Sequence, residues 1–433
     1  GLIYQSASGS AADGHAIIDN SGALSLTVAA TAVAGAGFAD ASASIESGIS
    51  QSAETYGDDD NAIAELTNSG TLTLAASADA SGTGASAWAS ATGVHQYAYA
   101  ETAAVTLATA SISFNNVGPV GTATATAANG TYVLSATANA KADGVGGDAE
   151  ATATAYSAIF QEATSLDNGD ASVSITNSGS VSVLADAAAT ATNVGGSAEA
   201  AYAYAYAGTA FNQNARAVDE GNATVSLDNS GALTIAANAD AVADGEATAT
   251  ATWYGGYQWA TANDDHDHNA VVTFTNTGTF DLTADAEAAG GTYAYAFAFG
   301  DSAIWQGAYA ENAGDPAGDA SVTITNAADA SITGVIAANA AAAAGSASAT
   351  ASIDDFLYQS AYADEGDASA TITNDGSISL TVTATADAGN GDAFAGAYTD
   401  ETVLHQNASS TEGSSFVTLT NNGAIDILVS ASA

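Results

Sequence analysis

The chain of 433 residues carries 48 acidic and only two basic residues, Lys141 and Arg216, giving a formal charge of −46. Phosphate backbones and anionic lipid surfaces are bound through Lys and Arg, so this composition excludes nucleic-acid binding and attraction to anionic membranes. The chain has no cysteine for a disulfide, and no apolar run reaches the ~20 residues of a membrane-spanning helix, so membrane insertion of these residues is not expected.

The first predicted element of each repeat is a short strand centred on a glutamine. An apolar residue stands two positions before the Gln in eight of nine copies, with Gly256 as the exception, and Ala stands two positions after it in all nine. A pattern that recurs at this period predicts a repeat architecture. Because the Gln shares its parity with apolar residues, we expect a buried ladder of stacked amides. The repeats begin near Gln5, Gln51, Gln96, Gln161, Gln213, Gln258, Gln306, Gln359 and Gln406.

An acidic loop follows the glutamine strand. Its members include Asp170, Asp319 and Asp367, and stacked repeats would align them along one edge, where like charges repel. A divalent cation would relieve this repulsion, so we expect loose Ca²⁺ binding at these loops and no other cofactor. Only one loop has a dense group of potential metal ligands, and its alternative interpretation is a solvated acidic loop. These weak candidates are Asp264, Asp265, His266, Asp267 and His268.

The second predicted strand ends on an asparagine, usually as Asn-x-Gly with Ala328 as the one replacement for Gly. The asparagines could form a second amide ladder; the alternative is that they support a left-handed turn. One interval, from Asn116 to Asn177, spans 61 residues and predicts an extra strand or loop over residues 121–140. The asparagines are Asn20, Asn68, Asn116, Asn177, Asn229, Asn276, Asn326, Asn374 and Asn421.

Long segments of alternating residues complete each repeat. From Val173 to Ala191 every second residue is apolar or small, apart from one Asn, and a period of two predicts strands with one buried face. Ala is also the best helix former, but the intervening Ser, Thr, Val and Tyr favour strands. Inward alanines predict a thin, flattened cross-section. The sequence leaves open whether a repeat forms one wide rung or two narrower ones. One predicted inward set is Ala203, Ala205, Ala207, Thr209, Phe211 and Gln213.

Aromatic residues must face outward where alanine faces inward. Such rows are too apolar to stay bare on a monomer, so they predict a lateral contact with another chain. The alternatives are cross-strand packing on a solvated sheet and stacking on sugars of a matrix or host glycan. The predicted contact residues are Tyr202, Tyr204, Tyr206, Tyr293, Tyr295, Phe297 and Phe299, with Tyr97, Tyr99, Trp253, Tyr254, Tyr257 and Trp259 continuing the theme.

Short threonine arrays occur in the same kind of outward positions. Flat Thr arrays are typical of ice-binding solenoids, but these two do not recur from rung to rung in the sequence. They are Thr248, Thr250 and Thr252, and Thr122, Thr124 and Thr126.

The Asn-x-Gly units resemble those of bacterial autotransporter passengers and related filamentous adhesins. The units that carry the resemblance are residues 66–72 (LTNSGTL), 175–181 (ITNSGSV) and 372–378 (ITNDGSI). This resemblance implies a right-handed parallel β-helix displayed at the cell surface, acting in adhesion or as a stalk.

Together these patterns predict an all-β protein, a flattened β-solenoid like a parallel β-helix, with about nine repeats of about 48 residues in one continuous domain, 1–433. Catalysis is not expected, because no repeat carries a distinct cluster of catalytic groups. We expect a structural subunit or segment of an extracellular bacterial filament or surface fibre, with copies of itself as head-to-tail and lateral partners. The alternatives are the stalk of a cell-surface adhesin and a glycan- or ice-binding module.

Overall fold

A computed structural model of the chain describes residues 1–10, 13–56, 61–101, 110–116, 130–143, 147–166, 169–192, 199–219, 221–264, 268–312 and 318–433, without the side chains of residues 110–116, 219, 264 and 312. Over these ranges it has strands and no helix. Accordingly, none of the described segments is a helix long and apolar enough to cross a membrane.

The strands of the first four repeats are β1 (Ile3–Gly9), β2 (Gly14–Asn20), β3 (Ala23–Val33), β4 (Phe38–Ile45), β5 (Ile49–Thr55), β6 (Ala62–Asn68), β7 (Thr71–Gly82), β8 (Gly84–Ala91), β9 (Val94–Glu101), β10 (Ala110–Asn116), β11 (Thr131–Asp143), β12 (Ala149–Ala155), β13 (Ile159–Leu166), β14 (Ala171–Asn177), β15 (Ser180–Thr192) and β16 (Ala200–Ala207). Those of the next two are β17 (Phe211–Asp219), β18 (Ala223–Asn229), β19 (Ala232–Ala243), β20 (Glu246–Trp253), β21 (Gly256–Asp264), β22 (Ala270–Asn276), β23 (Thr279–Gly290) and β24 (Tyr293–Gly300). The remaining strands are β25 (Ile304–Asn312), β26 (Ala320–Asn326), β27 (Ser331–Ala342), β28 (Ser346–Ile353), β29 (Leu357–Ala363), β30 (Ala368–Asn374), β31 (Ser377–Ala388), β32 (Ala393–Thr399), β33 (Leu404–Ser410), β34 (Ser415–Asn421) and β35 (Ala424–Ser432).

Every fourth strand joins the same parallel sheet. Sheets A, B and C start from β1, β2 and β3 and hold nine described strands each, and sheet D starts from β4 and holds eight. The register is the one that the repeats predict, since Gln5 pairs with Gln51 and Asn20 pairs with Asn68. Each of the first eight repeats is therefore one wide rung of four strands and the ninth contributes three. The predicted all-β flattened solenoid is confirmed.

Each rung folds into two facing layers. Alanines of sheets C and D pack against each other in one large core, and a smaller core of Ala and Val lies between sheets A and B. The row of glutamines separates the two cores. An apolar residue two positions before the Gln, such as Ile49, joins the large core, and the Ala two positions after it, such as Ala53, joins the small one. Alanine on both sides lets the layers approach closely, which makes the cross-section flat.

Large buried side chains are matched by glycines on the next rung. The ring of Phe211 occupies the space in which a Cβ on Gly256 would sit, and Phe211 pairs directly with Gly256. In the same way Gly300 pairs with Trp253 and makes room for its indole. The position two residues before Gln258 is thus occupied by Gly256 and not by an apolar side chain, because the ring of Phe211 fills this space.

Two sequence expectations about facing directions are wrong. Trp253, grouped with the outward aromatics, is fully buried, because it shares its parity with the inward alanines of β20. Thr209, expected inward, is only partly buried, because the corner between β16 and β17 breaks the alternation.

The Asn-x-Gly corners need glycine for close stacking rather than for a left-handed backbone. A Cβ at Gly179 or Gly231 would overlap the carbonyl oxygen of the glycine one rung below. The copy with Ala328 instead has a longer corner, in which Asp329 takes the left-handed conformation at φ 68°. Asp329 is the only non-glycine residue with positive φ among those described, so the asparagines themselves do not use it.

The long interval between Asn116 and Asn177 does not place an extra strand over residues 131–140. Those residues belong to β11, which pairs in regular register with β7 and β15. The additional length therefore falls between Asn116 and Thr131, where residues 117–129 lie outside the described part of the chain.

Candidate functional site: side-chain ladders and outer faces

The nine glutamines form an unbroken ladder along the axis. Each Gln from the second repeat onward donates from Nε2 to Oε1 of the Gln one rung below, at 2.9–3.2 Å. Nε2 also donates across to a backbone carbonyl of sheet B, as Gln258 does to Thr273 at 3.2 Å. The interior glutamines are fully buried, so the ladder satisfies groups that would be costly to bury alone and joins the two layers.

The asparagines form a second ladder of opposite direction. Asn177 donates from Nδ2 to Oδ1 of Asn229 on the rung above at 2.8 Å, and also to the carbonyl of Ala232 at 3.0 Å. The same bond recurs at 2.7–2.9 Å wherever both side chains are described. The Gln ladder donates toward the first rung and the Asn ladder toward the last, so the rod has a chemical polarity. The side chain of Asn116 lies outside the described residues.

A third ladder, absent from the sequence expectations, lies just before the strands of sheet B. The backbone N–H of Asp367 donates to Oδ1 of Asp319 on the rung below at 2.8 Å, and Ser414 N–H donates to Oδ1 of Asp367 at 2.8 Å. Asp170 accepts from Asn222 in the same way. These acids were expected only to line an acidic edge. The signal for their structural role was the Asp or Asn that stands directly before the first residue of seven of the nine sheet B strands.

The weak metal candidates are not brought together in the described structure. Asp265, His266 and Asp267 lie outside the described residues, as does the side chain of Asp264, and His268 alone can be placed, just before β22. Within the described ranges no group of three or more His, Cys, Asp or Glu residues is arranged to hold a metal ion.

An acidic patch covers the outer face of sheet C instead. Asp186 and Asp285 share one column with Asn238 between them, and Asp240 and Glu287 form the next column. Burial among neighbouring side chains raises the pKa of Asp186, Asp240 and Asp285, and repulsion from Asp240 raises the pKa of the other two aspartates further. Uncompensated like charges at this spacing cost free energy of folding.

Aromatic residues on the outer face of sheet A stack on one another along the axis. The rings of Tyr257 and Trp305 lie 4.6 Å apart and nearly parallel, as do those of Trp305 and Tyr358 at 5.2 Å. Tyr309 and Tyr362 repeat the arrangement at 5.0 Å. Rings that stack on consecutive rungs cover each other's faces, so this face offers mainly ring edges to a partner.

Sheet D carries its aromatics differently. All of the seven predicted contact residues lie on its outer face, in β16 and β24, and are exposed or partly exposed. Their neighbours on the rungs between and beside them are Ser, Thr and Glu, so that Tyr204, for example, lies between Thr152 and Thr250. The Thr248, Thr250 and Thr252 array is one of these intervening rows; Thr122, Thr124 and Thr126 lie outside the described residues.

Threonine pairs do recur from rung to rung on the outer face of sheet B, which the sequence analysis missed. The column of Thr273 continues through Thr323, Thr371 and Thr418, and a parallel column lies two residues farther along each strand. The second column is Thr275, Thr325, Thr373 and Thr420. Adjacent hydroxyls are thus about 4.8 Å apart along the axis and about 6.7 Å apart along the strand. The signal was the repeated Thr-x-Thr-Asn ending of these strands.

No protein family, curated protein or solved structure matches the chain. Its function must therefore be inferred from its own residues and their geometry.

Replacing one interior glutamine tests the first ladder. Gln258→Leu removes the donor to Gln213 and the acceptor for Gln306, leaving two buried polar atoms without these partners. At ~1–3 kcal/mol for each, we expect a loss of about 2–6 kcal/mol in the free energy of unfolding, measured by denaturant unfolding followed by circular dichroism. The same change at the partly exposed end member, Gln5→Leu, should cost much less. Equal losses at the two positions would contradict the ladder's stabilising role.

The acidic patch predicts that mild acid stabilises the fold. Asp186, Asp240 and Asp285 have raised pKa values in the folded state, so the folded state binds protons more readily than the unfolded state. Protonation of these groups therefore stabilises the fold at low pH, and this stabilisation is lost as the pH rises through the raised pKa values. We expect the melting temperature at fixed ionic strength to rise when the pH falls from 7 to about 5. Asp240→Asn should raise it at pH 7 and reduce the gain, whereas Glu412→Gln, outside the patch, should not. A melting temperature that falls on acidification would refute this account.

Proposed function

We propose that the chain is a structural, non-catalytic segment of an extracellular bacterial filament or surface fibre, in which rungs continue from one copy into the next. The observation that supports this most directly is the continuity of four in-register sheets and two amide ladders along the rod. Such a rod transmits load through its backbone ladders and through the Gln–Gln and Asn–Asn hydrogen bonds, which run along its axis. The resemblance of its Asn-x-Gly units to those of autotransporter passengers and filamentous adhesins agrees with a place at the cell surface.

The two end rungs are chemically complementary. At the first rung, Gln5 presents Nε2 and Asn20 presents Oδ1 toward the next lower position; at the last rung, Gln406 presents Oε1 and Asn421 presents Nδ2 upward. These assignments follow from the directions of the two ladders. Head-to-tail stacking joins each donor to an acceptor, whereas joining two like ends opposes two donors or two acceptors. The ladders therefore favour one direction of assembly.

The last rung also presents core side chains. Val417, Leu419 and Ile427 occupy inward positions, yet each is about half exposed. Covering them with another rung would bury apolar surface, and the unpaired strand edges would gain a neighbour. A second copy of the chain offers strands of sheets A, B and C in the positions that match β33, β34 and β35 of this rung. The acidic surface opposes association through charge repulsion, so salt or Ca²⁺ is expected to promote it.

Electron microscopy of the purified chain at high salt, with Ca²⁺ and again with EDTA, tests the proposal. We expect uniform filaments with a spacing of about 4.8 Å between rungs, and shorter ones in EDTA. Leu419→Asp, which places a charge between stacked ends, should leave single rods of roughly 40 Å. Thr418→Asp, the same charge on the outward side of the same strand, is the control. Single rods of the unaltered chain under every condition would reject self-stacking and favour the stalk of an adhesin.

A second candidate function, ice binding, is favoured only by the threonine columns of sheet B. A flat, uncharged grid of hydroxyl and methyl groups can order water at spacings of the order of those between oxygen atoms in ice. If the grid has this role, the chain will show thermal hysteresis, and Thr323→Tyr at its centre will abolish it. Thr283→Tyr on the outer face of sheet C should leave it intact. The absence of thermal hysteresis in the unaltered chain would eliminate this candidate.

A further inference from the structure

The outer face of sheet D alternates between aromatic and hydroxyl rows. The aromatic rows are Tyr202, Tyr204 and Tyr206 on β16, and Tyr295, Phe297 and Phe299 on β24. The hydroxyl row between them is Thr248, Thr250 and Thr252 on β20, in direct register with both. The alternation extends outward, with Trp88 on β8 and Phe394 and Tyr398 on β32, and small or acidic residues on β12 and β28.

This alternation gives the face a relief of ridges and troughs. Strands lie about 4.8 Å apart, so the aromatic ridges recur about every 9.6 Å with a shallower hydroxyl trough between them. Residues of consecutive rungs on sheet A show the contrast, because Tyr257, Trp305 and Tyr358 fill every rung and leave no trough. The relief of sheet D thus comes from the order of residues and not from the backbone.

The same face carries few charges. From β16 to β28 the ridges and troughs carry no ionisable acid, with Glu246 at the margin only. The chain as a whole carries 48 acidic residues, including Asp186, Asp240 and Asp285 on sheet C. Desolvating unpaired carboxylates is costly, so two copies can approach closely at sheet D and not at sheet C.

We propose that the outer face of sheet D is a lateral contact for a second copy of this chain, in which the aromatic ridges of each copy enter the hydroxyl troughs of the other, one rung out of phase. A two-fold axis that lies in the contact plane, parallel to the rows and midway between a ridge and a trough, keeps the rows of both copies parallel and sets ridges against troughs. The same patch then serves on both sides, and the two rods run antiparallel. The trough threonines then contact rings of the partner, a pairing that strands also use within a sheet.

The size of the patch determines when this contact forms. Three columns on five rungs cover about 20 by 20 Å, or roughly 400 Å² per partner, which is about half of the ~800 Å² per partner of a stable interface. One pair of rods is therefore held weakly. Rods stacked end to end repeat the patch at intervals, and linked contacts reinforce one another. Stable lateral pairing thus rests on the proposed filament and is expected between filaments.

A substitution that fills a trough distinguishes the interlocking of ridges and troughs, called meshing below, from nonspecific hydrophobic association. Thr250→Tyr adds an aromatic ring to the face but closes the trough, and stacked rings on consecutive rungs are already tolerated on sheet A. Meshing predicts that bundles seen by cryo-electron microscopy are lost in Thr250→Tyr and in Phe297→Ser, while single filaments remain. Thr164→Tyr, the same added ring on the outer face of sheet A, should preserve bundling. Stronger bundling by Thr250→Tyr would overturn the proposal.

Failure of the lateral contact can be distinguished from failure of the filament. Unbundled filaments of the unaltered chain would overturn the lateral contact and leave axial stacking intact. Paired short rods in analytical ultracentrifugation at high concentration, lost in Thr250→Tyr, would support the lateral contact without filaments. A third outcome is that the chain forms neither pairs nor bundles but is retained on cellulose or chitin particles, and that Phe297→Ser abolishes this retention. That outcome would overturn the lateral contact in favour of a glycan partner.

Discussion

In-register parallel stacking is the constraint from which the rest of this structure follows. Each side chain lies about 4.8 Å from the equivalent side chains of the rungs above and below, so a buried residue must be compatible with copies of itself. Amides meet this condition because each has a donor and an acceptor, as the bond between Gln258 and Gln213 shows. Carboxylates do not, since neighbouring like charges repel. The rod accordingly buries Gln and Asn and leaves most of its acids outside.

The same constraint governs volume. Alanine can occupy the same inward position on every rung without steric overlap. It brings the two layers so close together that a much larger side chain fits only where a neighbouring residue is smaller. Where Phe211 and Trp253 enter the core, glycine stands in the paired position of the next rung, at Gly256 and Gly300. A large side chain in one rung thus requires a glycine in the neighbouring rung, and neither substitution can be explained from a single repeat.

These relations explain what the sequence could predict. Alternation predicted the strands, and the shared parity of Gln and apolar residues predicted the buried amides, because burial of a face is encoded locally. The number of strands in a rung was open, since alanines at every inward position do not show where the chain turns. The Asn ladder remained one of two alternatives, because a short Asn-x-Gly unit suits a turn equally well.

Other features depend on relations between rungs that one repeat does not reveal. The bond from the backbone of Asp367 to the side chain of Asp319 joins residues 48 positions apart, and within its own loop Asp319 looks like any solvated acid. Trp253 is different, because its parity with the alanines of β20 did indicate burial. This parity was a better guide to its position than the outward aromatic residues near it in the sequence.

The outer faces show how one backbone supports several chemistries. Each outward column contains one residue from each rung, so the order of residues in the column determines the chemistry of the surface. Acids on sheet C repel one another, and aromatic residues on successive rungs of sheet A stack and cover each other's ring faces. Threonines on sheet B form a grid. Because the net charge keeps copies apart, only neutral columns can serve as close contacts. The order of small and large residues along the axis therefore determines the relief and charge of each outer face, while the buried ladders, which recur along the rod, give it direction and strength.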